Sequence, residues 1–275
     1  MTLPLEDVFP RPSVVGIVNV TPDSFSDGGL FLDADAAIAQ GHRLRGAGAA
    51  LVDVGGESTR PGSEGTELDE ELQRVLPVVE ALAGEFPVSI DTSKAEVARR
   101  SLALGAVMVN DVTALRGDPE LAGVVADSEA YLCLMHMLGD PRTMQVDPHY
   151  DDVVADVASF LEARLEAAVS AGIPEERICL DPGIGFGKTV RHNLELLGHL
   201  EELVALGRPV MIGASRKRFL GRILGGADAL TGPVSAGVAT SVLAYERGAS
   251  LFRVHDVQEH VEALVAVRAV EGAAG

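Results

Sequence analysis

Short β-branched apolar runs recur along the chain at 14–20, 51–55, 88–92, 107–112, 131–137, 178–181, 210–215 and 250–256. They are nearly continuous rather than alternating, which is the pattern of strands covered on both faces. Between them lie Ala- and Leu-rich segments at 33–47, 67–83, 94–104, 119–126, 152–171, 190–206, 233–248 and 257–270. Their apolar positions recur at helical spacing, with the charges on the opposite face. Gly48, Gly84, Gly105, Gly172 and Gly248 follow these segments, where a left-handed cap residue is expected. Eight strand–helix cycles with right-handed crossovers predict an α/β fold, a (β/α)8 TIM barrel. A doubly wound sheet would carry a dinucleotide-type Gly-rich turn after its first strand, and none follows Val20. No linker or shift of composition divides the chain, so residues 1–275 are expected to form a single domain with a short N-terminal arm at 1–12.

Charge narrows the partners. The 275 residues carry 22 Lys+Arg against 41 Asp+Glu, a net charge of −19. No nucleic acid and no anionic membrane surface is expected as a partner, because both need clustered cations. Any anionic substrate must instead meet a local basic cluster inside an acidic shell. The two cysteines, Cys133 and Cys179, sit in apolar runs without CxxC spacing, so reduced core thiols are expected. The first twelve residues contain acids and prolines, and no run approaches the ~20 apolar residues of a membrane span. The expected location is the cytoplasm.

Polar residues collect where the predicted strands end. They are Asn19, then Asp53 and Glu57, Asp91, Asn110 with Asp111, His136, Asp181, Ser215 to Arg218, and Arg253, His255 and Asp256. In a barrel those ends carry the chemistry. One such residue reads as a cap; eight strands in succession do not. Asp91, Asn110 and Asp181 supply acceptors and an amide, while Lys217, Arg253 and His255 supply cations. That mixture suits a ligand with a hydrogen-bonding heterocycle at one end and an anion at the other. The structural alternative for Arg253 and His255 is a barrel-end salt bridge to Asp256 or Asp23.

Four loops add detail. Those at 21–29 and 55–63 combine glycines, hydroxyls and charges, as mobile anion-binding lids do. The stretch 181–189 approaches a P-loop, but Pro182 stands at the first glycine, which argues against nucleotide hydrolysis. Residues 213–219 open a helix with added cations, an arrangement suited to an anion. No HExxH and no Gly-x-Ser-x-Gly occurs. A hard Mg²⁺ on Asn19 and substrate oxygens is compatible with the few protein ligands that ion takes.

These segments closely resemble the dihydropteroate synthase family. The match runs through 16–29, 53–62, 89–92, 110–112, 135–136, 181–188, 215–217 and 253–256, in order over nearly the whole chain. The resemblance implies condensation of 6-hydroxymethyl-7,8-dihydropterin diphosphate with p-aminobenzoate, giving 7,8-dihydropteroate and diphosphate. By the same resemblance, Asp181, Asn110 and Lys217 read the pterin edge, Asp91 faces its reduced ring, and Met135 and Gly213 line that pocket. Asn19, Thr59, Arg60, Arg253 and His255 hold the diphosphate, with Mg²⁺ on Asn19 and Asp23. Phe25, Pro61 and Phe186 close over p-aminobenzoate beside Lys217 and Arg218. Asp91, Lys217, Arg253 and His255 are the residues expected to act in catalysis. Some relatives have serine where this chain has Arg218, so either that arginine or the helix start meets the aminobenzoate carboxylate. A homodimer is implied as well. A pterin-dependent methyltransferase shares the barrel but has no diphosphate for Thr59, Arg60, Arg253 and His255; a non-catalytic pterin-binding protein is the other alternative.

Overall fold

The computed structural model describes residues 2–21, 29–59, 62–63, 65–226 and 228–274, with backbone only at 29–33 and 274. Its strands are β1 (Ser13–Asn19), β2 (Leu51–Gly55), β3 (Val88–Asp91), β4 (Met108–Asp111), β5 (Tyr131–Met135), β6 (Ile178–Asp181), β7 (Met211–Ile212) and β8 (Leu251–Val254). All pair in parallel in the order β6-β5-β4-β3-β2-β1-β8-β7. A parallel bridge between Leu180 and Val210 joins β6 to β7 and closes the ring. The predicted barrel is therefore present. Every residue of β2, β4, β5 and β6 is buried, which accounts for the unbroken apolar runs.

Helices α2 (Gly29–Gly46), α3 (Leu68–Ala83), α4 (Ala95–Ala103), α5 (Leu121–Ala126), α6 (Val153–Ser170), α7 (Val190–Gly198), α8 (Leu200–Val204), α10 (Val234–Glu246) and α11 (Val257–Ala274) follow the strands, and α9 (Arg218–Ile223) is an additional short helix after β7. Asp152 caps α6 by accepting from the amides of Val154 and Ala155. Two expectations are corrected. The segment 190–206 is two helices rather than one, broken at Gly198–His199, where glycine weakens helix propagation. Gly84 ends α3 at φ −74°, a right-handed cap; Gly48, Gly105, Gly172 and Gly248 are left-handed as expected. The N-terminal arm is structured: it forms α1 (Leu5–Val8). Leu5 and Phe9 are buried with Val15, Leu51, Met108, Tyr131, Cys133, Cys179, Met211 and Leu251, residues near the starts of their strands. The arm thus plugs the N-terminal end of the barrel, and both thiols are free within that plug.

Candidate active site

Strand register assembles the polar ring at the opposite end. Asn19 pairs with Gly55, Gly55 with Asp91, Asp91 with Asn110, and Met135 with Asp181. Arg253, on β8, reaches across the barrel. Its Nε donates to Asp53 Oδ2 at 2.6 Å and its Nη2 to Asp91 Oδ2 at 2.7 Å. The amide nitrogen of Asn110 donates to the same Asp53 oxygen at 3.0 Å. Arg253 thus pairs with Asp53 and Asp91 rather than with Asp256, which accepts from Arg216, a residue with left-handed backbone at φ +58°. Burial, reinforced by the charges of Asp53 and Glu71, pushes the Asp91 carboxyl up to about 7 although Arg253 opposes it. Burial also works against the Arg253 charge, but Asp53 and Asp91 outweigh it and hold the guanidinium more firmly protonated than usual. Asp53 is the residue whose role sequence reasoning missed. It is fully buried and joins two of the expected ligand-binding groups.

The loop after β6 forms a second wall. Asp181 Oδ1 accepts from Gly183 N at 2.7 Å. Gly183 has φ +66°, and a Cβ there would lie 1.8 Å from the carbonyl oxygen of His136, so glycine is required. Four successive carbonyls are held by side chains: Ile184 by Lys217, Gly185 by Gln145, Phe186 by Lys188 and Gly187 by Tyr150. Lys188 Nζ also lies 2.9 Å from His136 Nδ1, and Lys188 is buried. This is the physical reason the near P-loop is not one: its lysine is spent inside the wall. Burial and the Lys188 charge drive His136 down to about 2, so its ring is neutral. His136, noted as a strand-end polar residue, is part of the support rather than the cup.

Lys217 lies between the walls. Its Nζ donates to Ile184 O and sits 4.5 Å from the centre of the Phe186 ring. Burial, with help from Arg253, pushes its ammonium down to about 8, while Asp181 opposes the shift. Burial raises the Asp181 carboxyl, with Lys217 and the Gly183 amide opposing. Gly213 separates these cations; a Cβ there would be 3.9 Å from both Arg253 Cβ and Lys217 Nζ. His255 Nδ1 is 3.3 Å from Ser215 Oγ, which also accepts from the His255 amide. Arg218 opens α9 and is exposed. Phe186 packs on Val112, Met135, Met137 and Met144, an apolar patch of which only Met135 and Phe186 were expected. The i, i+2 spacing of Met135 and Met137 was the available signal.

Thr59 lines a small cleft with Asp91, Thr92, Met137 and Pro141. The Gly62 amide donates to Pro141 O at 2.9 Å, so the loop after β2 leans on the loop after β5. Asp23, Phe25, Arg60 and Pro61 lie outside the described residues. Among the described residues no group of three or more His, Cys, Asp or Glu gathers as a metal site. Asn19, half-buried at the end of β1, offers one hard amide oxygen. That donor set fits a Mg²⁺ that takes most of its ligands from phosphate oxygens and water.

Residues 15–255 match the family model described as pterin binding enzyme. The dihydropteroate synthase of Escherichia coli K12 is 46% identical over 264 residues, covering 94% of this chain and 92% of the relative. The Xanthomonas albilineans dihydropteroate synthase solved with 4-aminobenzoic acid superposes with a TM-score of 0.89 at 48% identity, covering 98% and 99% of the two chains. The same enzyme in complex with 7,8-dihydropteroate gives 0.84 at 47%, covering 96% and 95%. With the barrel, the polar ring and these likenesses together, the chain belongs to the dihydropteroate synthase family of pterin-binding enzymes.

Proposed function

We propose that the protein condenses 6-hydroxymethyl-7,8-dihydropterin diphosphate with p-aminobenzoate, releasing 7,8-dihydropteroate and diphosphate. The observation that carries this reading is the cup in which Asp181, Asn110 and Lys217 converge while Arg253 closes the far side. The relatives solved with 4-aminobenzoic acid and with 7,8-dihydropteroate support it. The 2-amino and ring N–H of a pterin are adjacent donors, which one carboxylate accepts side by side, and Asp181 takes that part. Lys217 donates to the pterin carbonyl, with Met135 and Gly213 beside the ring.

Arg253, His255, Asn19, Thr59 and Arg60 bind the diphosphate. The C–O bond breaks with its electron pair leaving on the diphosphate, and cations facing that group stabilise the departing charge. The pterin methylene cation left behind is delocalised into the ring, where Asp91 faces it. The lone pair of the aromatic amine then forms the C–N bond and its proton passes to the diphosphate or to water. No covalent intermediate on the protein is required. Asn19 and Asp23 would hold a Mg²⁺, which would supply positive charge to the diphosphate. Phe25, Pro61 and Phe186 cover the aminobenzoate, and Arg218 or the start of α9 meets its carboxylate. We further propose a cytoplasmic homodimer.

Diphosphate release with and without p-aminobenzoate tests the reaction: release that depends on the amine is expected, and intact ester after long incubation overturns it. Asp181→Asn tests the pterin pocket. It sets a donor against a donor, and an affinity loss of about 1–3 kcal/mol is expected by calorimetry with a simple pterin. Unchanged affinity removes Asp181 from the site.

A further inference from the structure

Asn110 is buried, and its amide can be oriented in two ways. Its nitrogen donates to Asp53 Oδ2 at 3.0 Å. The flipped orientation would place a carbonyl oxygen against a carboxylate in a buried site, acceptor against acceptor. Asn110 Oδ1 accepts from no donor among the described residues, so this pairing leaves it as the free end of the amide. Arg253 shows the same division. Its Nε is fixed by Asp53 and its Nη2 by Asp91, while Nη1 has no acceptor among the described residues. One oxygen of one fully buried carboxylate therefore fixes the inner ends of two side chains whose outer ends face the cup.

We infer that Asp53 is a positioning residue: it sets the orientation of the Asn110 amide so that an acceptor faces the heterocycle, and it aims Arg253 at the anion. The inference rests on the proposed reading of the cup as a pterin and diphosphate site. It makes donor recognition at Asn110 a consequence of a carboxylate that touches no substrate. Neither neighbour lies near Asp53 in the chain, since Asn110 is 57 residues away and Arg253 is 200. The arrangement also explains why a charged residue is kept inside β2, a strand otherwise apolar and buried throughout.

Calorimetry with 6-hydroxymethylpterin, which lacks the diphosphate, isolates the Asn110 arm. Asp53→Ala should weaken binding about tenfold or more. Asp53→Asn should restore most of it, because an asparagine oxygen can still accept from both partners while its NH2 replaces Oδ1, which has no donor among the described residues. In an Asn110→Ala background the Asp53→Ala change should shrink to about threefold or less, since the group through which it acts is gone. Additive losses, or an asparagine as damaging as alanine, overturn the inference. If Asp53→Ala does not fold, Asn110→Asp decides. It puts two carboxyl groups 3.0 Å apart in the wild-type geometry, which must share a proton to keep the orientation. Its pterin affinity, taken as a ratio to wild type, should then rise about tenfold as pH falls from ~8 to ~5.5. Asp91, Asp181, Lys217, Arg253, Glu71 and Asp111, the charged groups around this position, are present in both proteins, so what they contribute in common drops out of the ratio. A flat ratio overturns the inference. A wild type that fails to bind the pterin overturns the reading of the site instead.

Discussion

Lys217 and Asp91 are displaced toward each other on the pH scale, the lysine down to about 8 and the aspartate up to about 7. Burial is the main cause for both, because it disfavours whichever form is charged. As pH falls through about 7, Asp91 takes up a proton and loses the charge proposed to face the pterin cation. As pH rises through about 8, Lys217 loses the proton it donates. The profile of kcat/KM should therefore be a narrow bell between these values, and Lys217→Arg should abolish the alkaline limb because a guanidinium stays charged. A profile flat from ~5 to ~9 rules out both groups as the charges that matter. The same scale holds a second test. Arg253→Ala and His255→Ala should weaken the diphosphate ester by about 2–4 kcal/mol and the bare pterin by much less, since the charge they meet is on the diphosphate. Equal losses for both ligands would make them supports of the fold. Asp53 was visible in the sequence only as one more polar residue near a strand end. Its role depends on partners on β4 and β8, and no local pattern encodes that distance.

The loop after β6 behaves as an element in its own right. Gly183, Gly185 and Gly187 all have positive φ, and side chains from four positions hold its successive carbonyls. Gly183→Ala forces a Cβ against the His136 carbonyl in a left-handed backbone, and about 3 kcal/mol or more of destabilisation is expected. Tyr150→Phe removes a single hydrogen bond to Gly187 O, for which about 1 kcal/mol is expected. Urea unfolding compares them; equal costs would mean the loop relaxes freely. The eight strands were legible within a few residues because each is apolar on both faces. Helix α1 was not, since a four-residue helix shows no period, and only Leu5 and Phe9 mark it as a plug. The break at Gly198–His199 is not legible in the sequence, because the apolar spacing continues through it.

Across the whole molecule, a net charge of −19 surrounds a cup whose cations come from β8 and the segment after β7. The two substrates differ in how they meet that arrangement. The pterin diphosphate is proposed to meet the wall after β6, where Lys217 donates to Ile184 O, and Arg253, which pairs with Asp53 and Asp91. Under the proposed reading the aminobenzoate depends on Phe25, which follows β1 in the chain, and on Pro61, which follows β2 next to Thr59 and Arg60. Under the same reading, diphosphate drawn onto Thr59 and Arg60 is expected to complete the aminobenzoate pocket, which would then form only after the first ligand is bound. Phe186, packed on its methionine patch, is the proposed other side of that pocket. Aminobenzoate alone should bind weakly, and diphosphate, Mg²⁺ and a pterin should tighten it by ~1–3 kcal/mol, the usual size of such a coupling. Reciprocity requires aminobenzoate to tighten the other ligands by the same factor. Phe25→Ala should raise KM for aminobenzoate while leaving pterin affinity unchanged. Tight binding of aminobenzoate to the empty enzyme, indifferent to added diphosphate, would show a preformed pocket and end the ordered scheme.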